Sequence, residues 1–289
     1  MLYGILYNQN AGDGSAQEVS VQVQTYLKQF DIESETLTGA DVDEAQATLA
    51  DALPRIDGLV VIGGDGTLNL AVTTMVQAKI TVPLGIMPSG TVNNFARAMQ
   101  IPGDLTAALP ALVGEHLTPA DICVGNGETA VVSSLTFGNL AAIGNDVRQR
   151  EKQRLGKFAY LARALKEIGR NQSLPIQYTV DDAAPETYKT WFALITTTAN
   201  VGGRKYSEAK PGRMHMSVLN NMRMRKVIPY LYFAWQGRLN HSKQVTYLTP
   251  KKVTLVSQGE AVQTRIDGDP GPSLPLTVEI MPGFLQVMV

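Results

Sequence analysis

"VVIGGDGTLN", residues 60–69, decides how the rest of the chain is read. With the two residues before it, the stretch opens as "GLVVIG" (58–63), a near-continuous apolar run. Such runs suit a strand buried on both faces of a parallel sheet. The Gly-rich turn that follows is of the kind that receives phosphates, because glycine lets backbone N–H groups approach an oxyanion closely. Yet the turn carries Asp65 and no lysine. The P-loop pattern G-x-x-x-x-G-K-[ST] is absent, and so is G-x-G-x-x-G after the first strand.

Outward from that turn, the first half of the chain alternates in type. "LYGILY" (2–7) reads as a strand, 16–30 as a helix with apolar residues near helical spacing, and "IESETLT" as a strand. A helix over 43–53 precedes "GLVVIG"; a helix over about 67–78, the strand "VPLGIM" and a helix over about 91–99 follow it. This order predicts a doubly wound α/β domain over residues 1–118. From 119 to 289 strand patterns dominate: "AVVSSLTF" (130–137), "PIQYTV" (175–180), "TWFALITTTA" (190–199), "MHMSVL" (214–219), "KVTLVS" (252–257), "LTVEIM" (276–281) and "FLQVMV" (284–289). Helical patterns interrupt them at 156–170 and around 223–239. The expectation is a two-domain α/β protein, with a β-rich second domain whose last strands are compatible with a return to the first.

With 44% hydrophobic and 18% charged residues in 289, the chain has the composition of a soluble globular protein. No apolar run reaches the ~18 residues of a spanning helix, and the start lacks the pattern of a signal peptide. One cysteine, Cys123, excludes an intramolecular disulfide and a Cys-rich metal site, which fits a reducing cytoplasm. The net charge of −1 hides an asymmetry. Residues 1–118 hold 4 Lys/Arg against 13 Asp/Glu, and residues 119–289 hold 21 against 13, or −9 and +8. A basic second half suits an anionic partner such as a nucleotide phosphate or an acidic membrane surface.

Three loops follow strands where an open α/β sheet binds its ligands: "NQNAGDG" (8–14), "GGDGT" (63–67) and "PSGTVNN" (88–94). Each joins glycine to Asn or Thr. Thr67 and Thr91 are placed to cap helices or to bond phosphate through their hydroxyls. One such loop is a common turn; three at one sheet edge make a phosphate site.

On these residues the chain resembles the diacylglycerol kinase catalytic domain family of bacterial lipid kinases, akin to sphingosine kinases and more distantly to NAD kinases. The resemblance rests on "GGDGTLN", "LGIMPSGTVNNFARAM", the opening "YNQNAG", "ADIC" (120–123), "LGKFAYL" and "IDGD" (266–269), and it covers essentially the whole chain. It implies an α/β nucleotide domain and a β-sandwich domain, with catalysis in a cleft between them. It implies ATP and Mg²⁺ as cofactors, with Asn8, Gly12, Thr38, Gly63, Gly64, Asp65, Gly66, Thr67, Asn69, Gly90, Thr91 and Asn93 on the nucleotide. Asp65 would organise Mg·ATP, and Asp121 would support the metal through water. Asp269, rather than nearby Asp267, aligns with the family's catalytic glutamate, the general base. The chain departs from the pattern at Gln9 (usually Pro), Leu70 (often Glu), Asp269 and Pro211. Pro211 stands where some members have an aspartate anchoring a structural Mg²⁺, so no second metal site is expected there.

The implied acceptor is a hydroxyl-bearing lipid such as diacylglycerol. Residues 148–170 carry eight Lys/Arg against two Glu, which suits transient docking on the anionic inner face of the membrane from the cytoplasm. "RMRKVIPYLYFAWQGRLNH" (223–241) reads first as an amphipathic helix packed on the sandwich. No nucleic acid and no stable protein partner are expected; a homodimer through a hydrophobic sheet edge is compatible with the pattern. The alternatives are an NAD kinase-like enzyme and a nucleotide-binding regulatory protein that has lost catalysis. The histidines, 116, 215 and 241, are scattered and receive no ligand role.

Overall fold

Strands β1 (Leu2–Tyr7), β2 (Glu33–Leu37), β3 (Gly58–Gly63) and β4 (Leu84–Pro88) run parallel and are each followed by a helix: α1 (Ser15–Lys28), α2 (Val42–Ala52), α3 (Asp65–Ala78) and α4 (Asn94–Ala98). The computed structural model describes residues 1–8, 15–90, 92–139, 173–198, 200–201, 204–205, 210–220 and 245–289. They divide into two units, Met1–Ser133 with Ile280–Val289, and Ser134–Glu279.

The first unit is wound on both faces, as the "GLVVIG" run requires. Leu59 and Val61 of β3 join Leu49, Leu68 and Met75 of α2 and α3 on one side. Val60 and Ile62 join Val23 and Leu27 of α1 on the other. All four strand residues are at most 1% exposed. Each such burial is worth about 1.5–3 kcal/mol. Helix α2 starts on a reciprocal cap: Asp41 accepts from the Glu44 amide (2.9 Å), and the Glu44 carboxylate accepts from the Ala40 amide (2.7 Å). After α5 (Leu105–Ala108) and a 3₁₀ turn (Leu109–Val113), β5 (Leu117–Gly125) and β6 (Thr129–Val131) form an antiparallel hairpin.

The second unit is antiparallel: β7 (Ser134–Gly138), β8 (Leu174–Val180), β9 (Glu186–Thr196), the two-residue pair β10 (Asn200–Val201) and β11 (Arg204–Lys205), β12 (His215–Asn220), β13 (Val245–Leu248), β14 (Lys252–Ser257), β15 (Gln263–Ile266), β16 (Asp269–Ser273) and β17 (Leu276–Met288). The long β9 organises it. Residues 192–196 pair with β7 and β12, whereas 186–190 pair with β8. Phe137 and Tyr178 meet with ring centroids 6.5 Å apart, and Tyr178 shares a 2.7 Å hydrogen bond with Thr190 inside.

Strand β17 serves both units in turn. Leu276–Leu255 and the three pairs beside it join it to β14. Beyond residue 280 it pairs with β4 at Val287–Leu84 and also borders β5. The first unit therefore has the strand order β2-β1-β3-β4-β17-β5-β6.

Several boundaries differ from the sequence reading. "AVVSSLTF" is two strands, broken at Val132–Ser133 where the chain passes between units. Val124, Ala130 and Val132 pack in the first unit's core, so residues 119–133 belong there and not with the β-rich part. "LTVEIM" and "FLQVMV" form one strand, β17, continuing past Gly283 at positive φ (60°). Strands β5, β13, β15 and β16 lack the apolar alternation that would have marked them. The helical patterns at 156–170 and 223–239 lie outside the described residues.

His215 is 1% exposed, and its Nδ1 lies 2.5 Å from the Tyr247 hydroxyl. Burial, and secondarily the Lys210 ammonium, lower its pKa from the ordinary 6.5. The unfolded chain therefore binds a proton below pH ~6.5 that the folded chain resists, and stability falls as pH drops through that value. Melting temperature measured from pH 8 to 5 should decline below pH ~6.5, and the decline should be shallower in His215→Phe.

Candidate functional site

Strand order reverses at β1. The chain passes from β1 to β2 on one side, then crosses back to place β3 on the other. Ligands of open α/β sheets sit at such a reversal, beyond the carboxyl ends of the strands. Register brings those ends level: Leu6 pairs with Leu37, Tyr7 with Ile62, and Ile62 with Met87. Asn8, Thr38, Gly63 and the "PSG" turn after Met87 therefore emerge along one edge.

Two of the loops are packed backbone against backbone. A Cβ on Gly90 would lie 2.5 Å from the Gly64 Cα and 2.6 Å from the Asn93 Oδ1. The Ser89 amide donates to the Gly63 carbonyl (3.1 Å). Gly63 has its own constraint, since a Cβ there would lie 2.5 Å from the Thr67 Oγ1. Helix α3 starts at Asp65 on Gly64, whose extended backbone supplies no side-chain cap. The first-turn amides of this 14-residue helix are thus left to another acceptor, as at an anion site.

The Asp65 carboxylate leans across to the neighbouring loop. Its two oxygens accept from the Asn94 amide (3.1 Å) and the Phe95 amide (3.3 Å) at the start of α4. These bonds occupy about half of a carboxylate's acceptor positions. Asn93, at φ 51°, donates through Nδ2 to the Gly90 carbonyl (2.8 Å), while its buried Oδ1 has no hydrogen-bond partner.

In the second unit, Asp267 (φ 51°) and Gly268 (φ 99°) make the two-residue turn between β15 and β16. Positive φ at both positions is what a tight hairpin with the right twist needs, and Asp-Gly supplies it. Asp267 is 8% exposed and doubly fixed to Ser134: its amide donates to the Ser134 carbonyl (2.8 Å), and its Oδ1 accepts from the Ser134 amide (2.8 Å). Arg265 donates to the Gly268 carbonyl, bracing the turn from within. Asp269, the next residue, is exposed. One aspartate anchors the turn and the other is presented by it.

Residues 3–124 match the model of the diacylglycerol kinase catalytic domain, and residues 133–289 match that of the YegS C-terminal NAD kinase beta sandwich-like domain. The chain belongs to the diacylglycerol kinase-like family of lipid kinases. It is 25% identical over 275 residues to a diacylglycerol kinase of Staphylococcus saprophyticus subsp. saprophyticus, covering 94% of this chain and 90% of that one. It is 27% identical over 277 residues to a diacylglycerol kinase of Bacillus subtilis, with the same coverage. The fold matches the crystal structure of a diacylglycerol kinase from Bacillus anthracis at TM-score 0.79 and 18% identity, over 99% of this chain and 96% of that one.

Within this family member the structure brings together Asn8, Gly63, Gly64, Asp65, Gly66, Thr67, Gly90 and Asn93 at the strand ends, with Thr38 beside them on β2. Two expectations change. Thr67 is not the cap of α3, because the helix begins two residues earlier on Gly64. Asn69 faces away from the loops: its Nδ2 donates to the Ala130 carbonyl (2.7 Å), and Thr73 completes the clamp by accepting from the Ala130 amide (3.1 Å). Asp121 accepts from the Gly283 amide (2.8 Å), holding β17 at its positive-φ residue. Gly12 and Thr91 lie outside the described residues, as does the basic segment 148–170. Around Pro211 the chain makes a turn closed by the Arg213 amide on the Lys210 carbonyl (3.1 Å), and the Arg213 guanidinium donates to the Thr249 carbonyl (2.7 Å). The sequence reading missed the Gly64–Gly90 approach and the anchoring by Asp267; paired glycines at equal distance from adjacent strand ends are the signal that points to the first.

Among the described residues no three of His, Cys, Asp and Glu converge as a metal cage. The donor set at Asp65 nevertheless fits Mg²⁺, which takes one or two carboxylates and completes its shell with phosphate oxygens and water.

Gly90→Ala should force the two loops apart and lower stability by about 1–3 kcal/mol in urea unfolding. Asp65→Ala should cost about 1 kcal/mol through the lost α4 cap, and Asp65→Asn less, since its amide oxygen still accepts.

Proposed function

We propose that this kinase transfers the γ-phosphate of Mg·ATP to the hydroxyl of a lipid alcohol of the diacylglycerol type, giving a phosphatidate-type product. The reading is carried by the uncapped first turn of α3, held against Gly90 at the reversal of strand order. Its support also includes the names of the relatives and the exposed carboxylate of Asp269 on a braced turn.

In this reading the backbone amides around Gly64–Thr67 hold phosphate oxygens, with the positive end of α3 behind them. Mg²⁺, when bound, neutralises the phosphates and answers the negative charge of Asp65. Asp65 keeps its place because α4 amides hold its oxygens, so it meets the cation already oriented. Asp121 supports the metal through water. Asp269 accepts the proton of the acceptor hydroxyl as that oxygen forms its bond to the γ-phosphorus and the bond from phosphorus to the β,γ-bridging oxygen breaks. The exposed aspartate, one methylene shorter than the family's glutamate, takes that proton directly or through one water. Asp267 keeps the turn in position and takes no proton.

Among the described residues no helix is long and apolar enough to cross a membrane. We place the protein in the cytoplasm, docking through the basic segment 148–170 on anionic lipid.

A panel assay with radiolabelled Mg·ATP and diacylglycerol, monoacylglycerol, a long-chain amino alcohol and NAD tests the reading. Diacylglycerol should be labelled and NAD should not; labelling of NAD alone would replace the lipid reading. Asp269→Asn should lower kcat at least about 100-fold, the scale of a lost general base, with ATP binding unchanged. Asp267→Ala should lower kcat less and also reduce the melting temperature.

A further inference from the structure

Strands β7, β9, β12 and β13 have two unlike faces. On one, Leu135, Phe137, Ala193, Ile195, Met216 and Val218 are fully buried apolar side chains. Residues paired across neighbouring strands share a face, and the register assigns the other face just as firmly. Ser134 pairs with Thr196 and Thr196 with His215; Thr136 pairs with Leu194, Leu194 with Ser217, and Ser217 with Tyr247. That face therefore carries four hydroxyl side chains of Ser and Thr, an imidazole and a phenol around one leucine.

This polar face is closed to water. Thr196 and Ser217 are 0% exposed and His215 is 1% exposed. Buried polar groups require partners. Thr196 finds one in the Thr198 carbonyl (3.1 Å). His215 stacks on Tyr247 (centroids 6.1 Å, planes at 15°) and uses Nδ1 on the Tyr247 hydroxyl. Its Nε2 has no hydrogen-bond partner among the described residues. Packing alone would place an apolar side chain here, so the unpartnered nitrogen on a hydroxyl-lined face points to a ligand.

We propose that this face binds the polar head of the acceptor, a neutral glycerol-type group whose hydroxyl or ester oxygen meets the His215 Nε2. The proposal rests on the lipid-kinase reading and names the protein surface that selects the acceptor. Position supports it. Ser134, which holds Asp267 of the Asp269 turn, is the first residue of a row that continues through Thr196 to His215. At about 4.8 Å per strand the row is about 10 Å long, enough for a glycerol and its ester linkages. Chemistry sets the class. A neutral imidazole offers one donor and one acceptor, and hydroxyls offer both, which matches alcohol and ester oxygens. Burial and the nearby Lys210 ammonium keep the imidazole uncharged. The same Lys210 charge opposes a cationic amino alcohol, so the face discriminates a neutral glycerolipid from a lipid amine.

The test uses 1,2-dioctanoylglycerol as the probe, with its binding measured calorimetrically and its phosphorylation followed at saturating Mg·ATP. His215→Phe should weaken binding and raise KM for the probe about 10-fold, the scale of one lost hydrogen bond, leaving KM for ATP unchanged. His215→Gln should retain most of the affinity. Tyr247→Phe, which frees the imidazole to turn, should weaken binding about threefold and serves if His215→Phe fails to fold by circular dichroism. Binding that is lost in these variants, with no phosphorylated product from the wild type, would uphold the face and overturn the kinase reading. Unchanged affinity in His215→Phe or Tyr247→Phe, or no binding by the wild type, overturns the proposal.

Discussion

The contact between the backbones of Gly64 and Gly90 is the constraint on which the nucleotide-type site depends. Neither loop can move away without breaking the Ser89–Gly63 hydrogen bond, and neither position tolerates a Cβ without a shift of its neighbour. The approach brings the start of α4 close enough for the Asp65 carboxylate to take its first amides. An acidic residue in a phosphate loop thus begins as a fastener between two loops. Its charge is partly met by helix amides before any cation arrives, which lowers the cost of holding it beside a site for anions.

A similar division of labour governs the second unit. Asp267 and Asp269 differ by two positions and a turn, yet one is buried and twice bonded to Ser134 while the other is exposed. Positive φ at Asp267 and Gly268 makes the chain reverse within two residues, so the anchored and the presented carboxylates cannot exchange places. Preorganisation of this kind keeps a reacting group in place without a conformational cost at each turnover.

The first unit was legible because its signals are local. A strand buried on both faces must be continuously apolar, and "GLVVIG" is; the glycines after it follow from the close approach of backbones. Helix starts were less legible, since Gly64 caps α3 through backbone conformation and leaves Thr67 inside the helix. The edge hairpins β5–β6 and β15–β16 escaped because "LTPADICVG" and "DPGPS" show no alternation, their pairing being set by strands distant in sequence. The same distance hid the polar face of the second unit. His215 and Tyr247 are neighbours only because β12 and β13 pair, and no spacing in the sequence records that. Roles at Asp65 and Asp269 came from resemblance to a family, whereas the duties of Asp267 and Asn69 became visible only as hydrogen bonds.

Strand β17 carries a consequence for biosynthesis. It stands between β4 and β5 in the first unit, but its residues follow the whole of Ser134–Glu279 in the sequence. On the ribosome, β4 and the β5–β6 hairpin must wait, each with an open hydrogen-bonding edge, until the entire second unit has been made. The N-terminal unit is therefore the last to close, although it is the first to emerge. Unpaired edges of this kind invite association between nascent chains, so slow translation through the second unit would lengthen the period of greatest risk for the first.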